Sequence, residues 1–385
     1  MSKISSKIRI VDLFSGVGGL TFGFQYKILN NELVKNDLFE IVFANEYNPK
    51  AAEAFRLNFN DIKVFETSIE NIDEKYLINE EINYKNIDIV IGGPPCQSYS
   101  TVGKRKKDNR SRMYVEYQRL LEIIKPKMFI FENVLGILSF KLEDGTNIID
   151  EIIKQFDNIG YSVQRKILNA KDYSIPQNRK RVFLVGIRKD FGLIWKFPDS
   201  NTETFLTVSD AISDLPVIKS NESINKYSAE PITQYQRLLR SNQNELTDHF
   251  CGIYGERITQ IIANLDDGES KVDINRKVLE GMLPNNLLLT SGYNNSYGRL
   301  WWDMPSSTIT NNFATPSAIR CIHPHQNRAL TIREAARIQS FPDWFVFVGS
   351  KADKCSQVGN AVPPLLAIAL ANQVIATLTE DNNGK

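Results

Sequence analysis

The sequence predicts an α/β fold with a second, less regular domain. Short apolar runs typical of buried strands alternate with helical segments from the N-terminus to about residue 190. Several of these runs end directly in glycine or polar residues, where open α/β sheets place their ligand sites. From about residue 191 the alternation stops, and turns and polar segments predominate. A chain of 385 residues is long enough for two domains.

The composition is that of an ordinary globular protein, with 42% hydrophobic and 24% charged residues. A net charge of +1 means that any nucleic-acid surface must be local. We expect no signal peptide and no membrane span. We also expect no metal, since the pair His323 and His325 lacks the further ligands that zinc requires. The four cysteines form no CxxC pair, and reduced cysteines fit a cytoplasmic protein.

The first strand is predicted over 8–14 (IRIVDLF), and the glycine-rich segment 15–19 follows it directly. A helix can then begin at Leu20. This arrangement lets a nucleotide-like ligand approach the backbone at the start of a helix. The segment matches neither the dinucleotide fingerprint nor a P-loop. The glycine-rich segment by itself is explained about equally well by a turn without a ligand and by a cofactor site.

An acidic residue follows the second predicted strand, 39–44. Glu46 comes about 30 residues after the glycines, where a carboxylate can hold ribose hydroxyls. A solvated surface glutamate is the alternative. A helix is predicted over 49–59, with Pro49 in its first turn. A short strand at 63–66 follows.

Cys96 follows an apolar run at 87–91 and the sequence Gly-Gly-Pro-Pro. The prolines fix φ and end any strand pairing, so Cys96 is expected on a stiff corner at the end of a strand. A lone cysteine is more often a small buried hydrophobe than a nucleophile. Segment 103–112 follows with six basic residues and one acidic residue. It is either a solvated face or a mobile loop suited to phosphate contacts.

Glu132 follows the predicted strand 128–131, one strand away from Cys96 at the same edge of the sheet. Arg179 and Arg181 precede a strand at 182–187, and their spacing lets both point to one face. An ordinary basic turn is the alternative reading of this pair. The remaining predicted elements are helices at 114–124, 147–156, 255–265, 331–339 and 365–378 and a strand at 162–169.

Taken in order, these segments resemble the DNA cytosine-5 methyltransferases of bacterial restriction-modification systems. The resemblance spans nearly the whole chain outside about 200–290. It rests on DLFSGVGGL at 12–20, NE at 45–46, GGPPCQSYS at 92–100, FENV at 131–134, QNRKRVFLVGI at 177–187, LTIREAARIQSFPDWF at 330–345 and VGNAVPP at 358–364.

The resemblance implies a Rossmann-like, S-adenosylmethionine-dependent catalytic domain with a smaller, irregular target-recognition domain. The catalytic domain would comprise 1–190 and 354–385, and the target-recognition domain 191–330. Residues 331–353 would form a hinge or connecting segment. S-adenosyl-L-homocysteine would be the product left by the cofactor.

The resemblance also assigns catalytic roles. Cys96 would attack carbon 6 of cytosine, which makes carbon 5 able to take the methyl group. Glu132 would hold ring nitrogen 3 and the exocyclic amine. Arg181 would help hold the base and Glu132, with Arg179 in support. The sequence does not identify the base that removes the carbon 5 proton.

Cofactor contacts are implied along the glycine segment, at the ends of two later strands and near the C-terminus. These residues are Phe14, Gly16, Gly18, Gly19, Leu20, Glu46, Tyr47, Ser68, Ile69, Asn360 and Ala361. One position departs from the family, which usually has an aspartate on the adenine amine where this chain has Ser68. A serine hydroxyl can accept the same hydrogen bond, but more weakly and without charge.

The implied partner is double-stranded DNA, with the target base flipped out of the helix. Its expected contacts are Gln97, Ser100, Lys104, Arg105, Lys106, Arg110 and Arg112, with base contacts placed in 271–297. A restriction endonuclease would be a functional counterpart. The enzyme would be a cytoplasmic monomer that associates with the nucleoid by binding DNA. A tRNA cytosine-5 methyltransferase and a non-catalytic DNA-binding relative are the alternatives.

Overall fold

The computed structural model describes residues 6–95, 113–241 and 243–380. The strands are β1 (Ile8–Leu13), β2 (Tyr26–Leu29), β3 (Glu32–Lys35), β4 (Phe39–Asn45), β5 (Lys63–Phe65), β6 (Ile89–Gly92), β7 (Met128–Val134), β8 (Tyr161–Asn169), β9 (Gln177–Asn178), β10 (Lys180–Arg188), β11 (Glu222–Ser223), β12 (Phe250–Cys251) and β13 (Ser306–Ser307). The helices are α1 (Gly19–Gln25), α2 (Pro49–Asn58), α3 (Glu74–Asn79), α4 (Met113–Ile124), α5 (Ile148–Asn158), α6 (Val208–Ile212), α7 (Gln234–Arg240), α8 (Glu256–Ala263), α9 (Lys271–Leu279), α10 (Ile332–Ile338), α11 (Lys351–Asn360) and α12 (Pro364–Glu380).

A seven-stranded sheet with the order β5-β4-β1-β6-β7-β10-β8 forms the centre of the fold. The strands from β5 to β7 are parallel, and β10 is antiparallel to both of its neighbours. The carboxyl ends of β1, β4, β6 and β7 therefore meet the start of β10 at one edge. The predicted α/β class is confirmed, and this edge gathers the predicted site residues.

Apolar residues cover both faces of the sheet. One face packs against α4 and α5, with a core that includes Tyr117, Leu121 and Phe156. The other face packs against α1 and α12. Its core continues without a break into residues from α7, α10 and the segment around Ile309. The division into domains predicted above stays a prediction, since this core draws on every part of it.

Two glycines bring α1 against the C-terminal segment. A Cβ on Gly23 would overlap the backbone of Ala367 in α12, and one on Gly19 would overlap the carbonyl oxygen of Val362. Only glycine permits this backbone approach. The segment 361–367 is thereby held beside the glycine-rich loop that precedes α1.

Among the described residues, one helical segment meets the criteria of length and apolar composition for crossing a membrane. Lys351–Thr379, which contains α11 and most of α12, meets both criteria. However, 61% of its most apolar window is buried inside the protein. A helix packed into a protein core has the same character.

The long strands and helices lie within a few residues of their predicted positions, but several short elements were missed. The hairpin β2–β3 turns at Asn30 and Asn31, which both adopt positive φ, a conformation that asparagine tolerates. The helix predicted at 255–265 is α8, but the helices α6, α7 and α9 in the same part of the chain were not predicted. Such short helices depend on tertiary packing, which periodicity does not report.

Candidate active site

The corner that leads to Cys96 is packed against β7. A Cβ on Gly93 would lie 3.0 Å from Glu132 Oε2, so a larger residue would crowd the carboxylate. The Asn133 amide donates a hydrogen bond of 3.3 Å to the carbonyl oxygen of Pro94. The chain therefore approaches position 96 along the Glu132 carboxylate, as predicted for neighbouring strand ends. Cys96 itself lies outside the described residues.

Glu132 and Arg181 form an ion pair at this edge. Arg181 Nε lies 3.1 Å from Glu132 Oε1, and both side chains are largely buried. The antiparallel register pairs Arg181 with Val134, two residues beyond Glu132, so both side chains lie on one face of the sheet. Burial raises the pKa of Glu132 above its ordinary value, while the charges of Arg181 and Arg179 oppose that rise. The site thus combines a buried carboxyl group with a cation that orients it.

Arg179 is fully buried, but its hydrogen bonds point away from Glu132. Its guanidinium donates to the carbonyl oxygens of Ile309, Gly359 and Ala361 at 2.9 to 3.0 Å. Arg179 therefore joins the start of β10 to the C-terminal segment beside α1. Of the two arginines predicted to act together, only Arg181 contacts the Glu132 carboxylate directly.

The three described cysteines are poor candidates for a nucleophile. Cys251, Cys321 and Cys355 are buried free thiols. Burial raises the pKa of each, to about 12 for Cys321. Since the thiolate is the reactive form, these side chains are largely inert at neutral pH.

The glycine-rich loop adopts the backbone expected of a ligand loop. Phe14, Gly16 and Gly18 all have positive φ. The N–H of Gly16 donates to Glu46 Oε2 at 2.8 Å, and the N–H of Asn48 donates to Oε1 at 2.7 Å. Burial raises the pKa of Glu46, and these N–H donors oppose the rise. Glu46 is thus tied to the loop from the neighbouring strand end, and its ribose role stays a prediction.

Asp12 was missed by sequence reasoning. It is fully buried in β1, and its Oδ2 accepts a hydrogen bond of 2.6 Å from the Thr21 hydroxyl. Its Oδ1 and the Ser15 hydroxyl have no hydrogen-bond partner among the described residues. Burial raises the pKa of Asp12 to about 7. An acidic residue inside the apolar run IRIVDLF was the available signal.

The remaining predicted cofactor residues differ in what they expose. The Tyr47 side chain is 74% exposed beside the loop, whereas Leu20 and Ile69 are buried and can offer only backbone groups. Ser68 is half-buried, and its hydroxyl donates to Glu70 Oε2 at 3.3 Å.

At the C-terminal segment, Asn360 is exposed and Ala361 is half-buried. The Asn360 amide donates to the Ser356 hydroxyl at 3.0 Å. A Cβ on Gly19 would lie 3.2 Å from the Ala361 Cβ, which places Ala361 at the start of α1.

The predicted DNA contacts fall into two groups. All seven named residues between 97 and 112 lie outside the described residues. The segment 271–297 contains α9 and the turns after it, and it packs around a small core with Ile274 and Val278. Its exposed side chains include Val272, Leu279 and Tyr293.

A doubly covered α/β sheet, a glycine-rich loop after β1 and an acid after β4 define the class of Rossmann-like proteins that bind a nucleotide-like cofactor. The sequence profile of the C-5 cytosine-specific DNA methylases matches residues 8–376. The chain therefore belongs to this family. It is an S-adenosylmethionine-dependent enzyme that methylates carbon 5 of cytosine in DNA.

The curated relatives cover almost the full chain. The type II methyltransferase M.DdeI of Desulfomicrobium norvegicum is 33% identical over an alignment of 384 positions, which covers 95% of this chain and 88% of the relative. M.AgeI of Thalassovita gelatinovora is 32% identical and spans 95% of this chain and 99% of the relative.

Solved structures share the fold. A prophage-encoded DNA modification methyltransferase of Escherichia coli superposes with a TM-score of 0.75 at 24% identity, over 97% of this chain and 100% of that one. The Dnmt2 methyltransferase of S. pombe superposes with a TM-score of 0.55 at 17% identity, over 96% and 99%. The predicted Rossmann-like fold is confirmed by these similarities.

Proposed function

We propose that this enzyme protects host DNA in a restriction-modification system by methylating one cytosine of a specific sequence through a covalent adduct with Cys96. The type II names of the relatives support the biological role. The observation that supports the chemistry is the buried Glu132–Arg181 pair, at 3.1 Å, beside the corner that leads to Cys96. We further propose a cytoplasmic monomer that works alongside a cognate endonuclease.

The reaction begins with addition of the Cys96 thiolate to carbon 6 of a flipped-out cytosine. Ring nitrogen 3 takes a proton or a hydrogen bond from Glu132, so the electrons displaced from the ring double bond form an enamine. A free thiol has a pKa of ~8.5, and a nearby cation such as Arg181 favours the thiolate. Covalent addition thus turns carbon 5 into a nucleophile.

The role of Glu132 depends on its protonated form. Burial favours the neutral carboxyl group, and Arg181 fixes its orientation. Carbon 5 then takes the methyl group that bound S-adenosylmethionine supplies. Loss of the carbon 5 proton to a base restores the double bond and expels Cys96 as the thiolate.

The residues around the glycine-rich loop fit this cofactor. The Glu46 carboxylate suits the ribose hydroxyls, and the exposed Tyr47 ring suits one face of the adenine. Among the described residues, Asp12 Oδ1 at the end of β1 and the Ser15 hydroxyl in the loop have no hydrogen-bond partner, so polar atoms are free next to this site. Ser68 occupies the position at which the family usually has an aspartate for the adenine amine.

Cys96→Ser tests the proposed chemistry. Serine keeps the shape of the side chain but is not ionised at neutral pH, so methyl transfer to duplex DNA should fall by at least about 1,000-fold. Binding of DNA and of cofactor should stay within about twofold. Cys251→Ser is the matched control and should retain activity. Turnover by the Cys96 variant would contradict the adduct.

Bisulfite sequencing of host DNA, with and without the gene, reports the target cytosine and its sequence context. One short recurring sequence should be protected in the presence of the wild-type gene and unprotected with Cys96→Ser. The tRNA alternative predicts the reverse preference in an assay of duplex DNA against tRNA. Retained DNA binding without any methylation would indicate the non-catalytic relative.

A further inference from the structure

A groove outside the predicted contacts lies at the same end of the sheet as the active site. It has a volume of about 670 Å³ and runs along the ends of β8 and β10. Lys180 lines it and directly precedes Arg181, while Leu135 lines it and directly follows Val134, the register partner of Arg181. Because successive side chains of a strand point to opposite faces, the groove opens on the other face of the sheet from the Glu132–Arg181 pair, at the same end of β10.

The floor of this groove is apolar and open. Leu135 and Ile167 are 39% and 45% exposed, although both are large hydrophobic side chains. Exposed apolar side chains that share a concave surface indicate a binding site more often than scattered ones do. A flat, apolar part of a ligand would bury them.

The rim of the groove is polar and has a net positive charge. Lys171 and Lys180 line it together with one acidic residue, Asp172. Within the described ranges, neither lysine forms an ion pair or a hydrogen bond through its ammonium group. Lysines without internal partners beside a DNA-modifying site are suited to phosphate.

One buried polar atom in the groove also lacks a partner. Asn169 is 8% exposed, and its amide donates to Asn178 Oδ1 at 2.9 Å. Its own Oδ1 has no donor among the described residues. A buried carbonyl oxygen needs a donor, which a phosphate cannot supply but the amino group of a nucleobase can.

We propose that this groove binds a nucleotide of the DNA substrate outside the flipped cytosine, where the duplex extends past this end of the sheet. The lysine ammonium groups would hold its phosphate, the apolar floor would cover a sugar or base face, and Asn169 Oδ1 would accept from a base amino group. A nucleotide supplies all three features at once. This inference rests on the proposed function, because it takes DNA as the ligand of this edge of the sheet.

The test is the double variant Lys171→Gln, Lys180→Gln, with the control Lys75→Gln, Lys85→Gln. Lys75 in α3 and Lys85 after it are both exposed, and their replacement removes the same charge at the opposite end of the sheet. Affinity for a cognate duplex should fall about tenfold in the groove variant, and its salt slope should fall by about 1 to 2. The affinity for S-adenosylmethionine should not change in either variant. An unchanged DNA salt slope in the groove variant would overturn the proposal.

Neutral methylphosphonates placed singly along the duplex then locate the contact. For the wild-type enzyme, one flanking position should weaken binding about fivefold or more. The same substitution should cost the groove variant nothing, because the lysines are already absent. An equal cost in both proteins would overturn the proposal. These are binding measurements, so a failure of methyl transfer by the wild-type enzyme would be recognised separately.

Discussion

At the scale of single residues, the active site depends on two opposing effects on the pKa of Glu132, which are burial and the charge of a neighbouring arginine. Glu132 is buried, which raises the pKa of its carboxyl group, while Arg181 at 3.1 Å favours the ionised form. A carboxyl group that must be neutral to serve nitrogen 3 needs the first effect, and its orientation needs the second. The balance between them sets the pH range in which the site can work.

Arg181→Gln should raise the pKa of Glu132 further. The ionised carboxylate loses a neighbouring positive charge, so its proton is held to higher pH. The carboxyl carbon signal of Glu132 in a selectively labelled sample should titrate at higher pH than in the wild-type enzyme. Arg181→Lys keeps the charge and should leave the titration closer to wild type. A midpoint that moves downward in the glutamine variant would refute this account of the pair.

Ser68→Asp should tighten cofactor binding about fivefold. An aspartate accepts a charge-assisted hydrogen bond from the adenine amine, which is stronger than one to a neutral hydroxyl by about 1 kcal/mol. Calorimetric titration with S-adenosylmethionine measures the dissociation constant. Ser68→Asn adds a carbonyl acceptor without charge and should give a smaller gain. If the aspartate variant binds as the serine enzyme does, Ser68 does not face the adenine.

At the scale of elements, sequence patterns predicted the sheet better than the second half of the chain. Buried parallel strands are continuous apolar runs, so β1, β6 and β7 were visible from the sequence. The positions of Glu46 and Glu132 at strand ends followed from the pattern of apolar runs, whereas the role of Arg181 was implied only by the family resemblance. Helices such as α7 and α9 are stabilised by capping boxes and by contacts from distant segments, which periodicity does not reveal.

The same limit applies to individual contacts. The hydrogen bonds from Arg179 to carbonyl oxygens 130 to 182 residues away could not be anticipated from its position two residues before Arg181. Asp12 was visible as an acid within an apolar strand, but its partner Thr21 lies on the next helix. Strand ends are local features of a sequence, whereas buried polar partners are features of the tertiary structure.

Gly23→Ala tests the packing of α1 on α12. The added methyl group would overlap the backbone of Ala367, which cannot move aside as a side chain can. Overpacking of this kind costs about 1 to 3 kcal/mol, so the midpoint of urea unfolding should fall clearly. Gly255→Ala is the control, because a Cβ there meets no atom within 4 Å. Equal midpoints for the two variants would show that the helices separate easily.

At the scale of the whole molecule, one core joins the predicted domains. The cluster that contains Ile10 and Ile91 of the sheet also contains Leu239, Ile309 and Ala335. Arg179 adds hydrogen bonds from β10 to the segment around 309 and to the C-terminal segment. Parts of a protein that share a continuous core have no independent interior to unfold separately.

The enzyme should therefore unfold in one transition. All four tryptophans, Trp195, Trp301, Trp302 and Trp344, lie outside the predicted catalytic segments, and only Trp344 stacks against Phe22 of α1, so their fluorescence reports mainly on the other part of the chain. Far-ultraviolet circular dichroism reports on secondary structure throughout the chain. The two signals should give coincident urea midpoints, and S-adenosylmethionine should raise both equally, because it binds only the folded state. Two separate midpoints, with only one moved by the cofactor, would show that the target-recognition part folds independently.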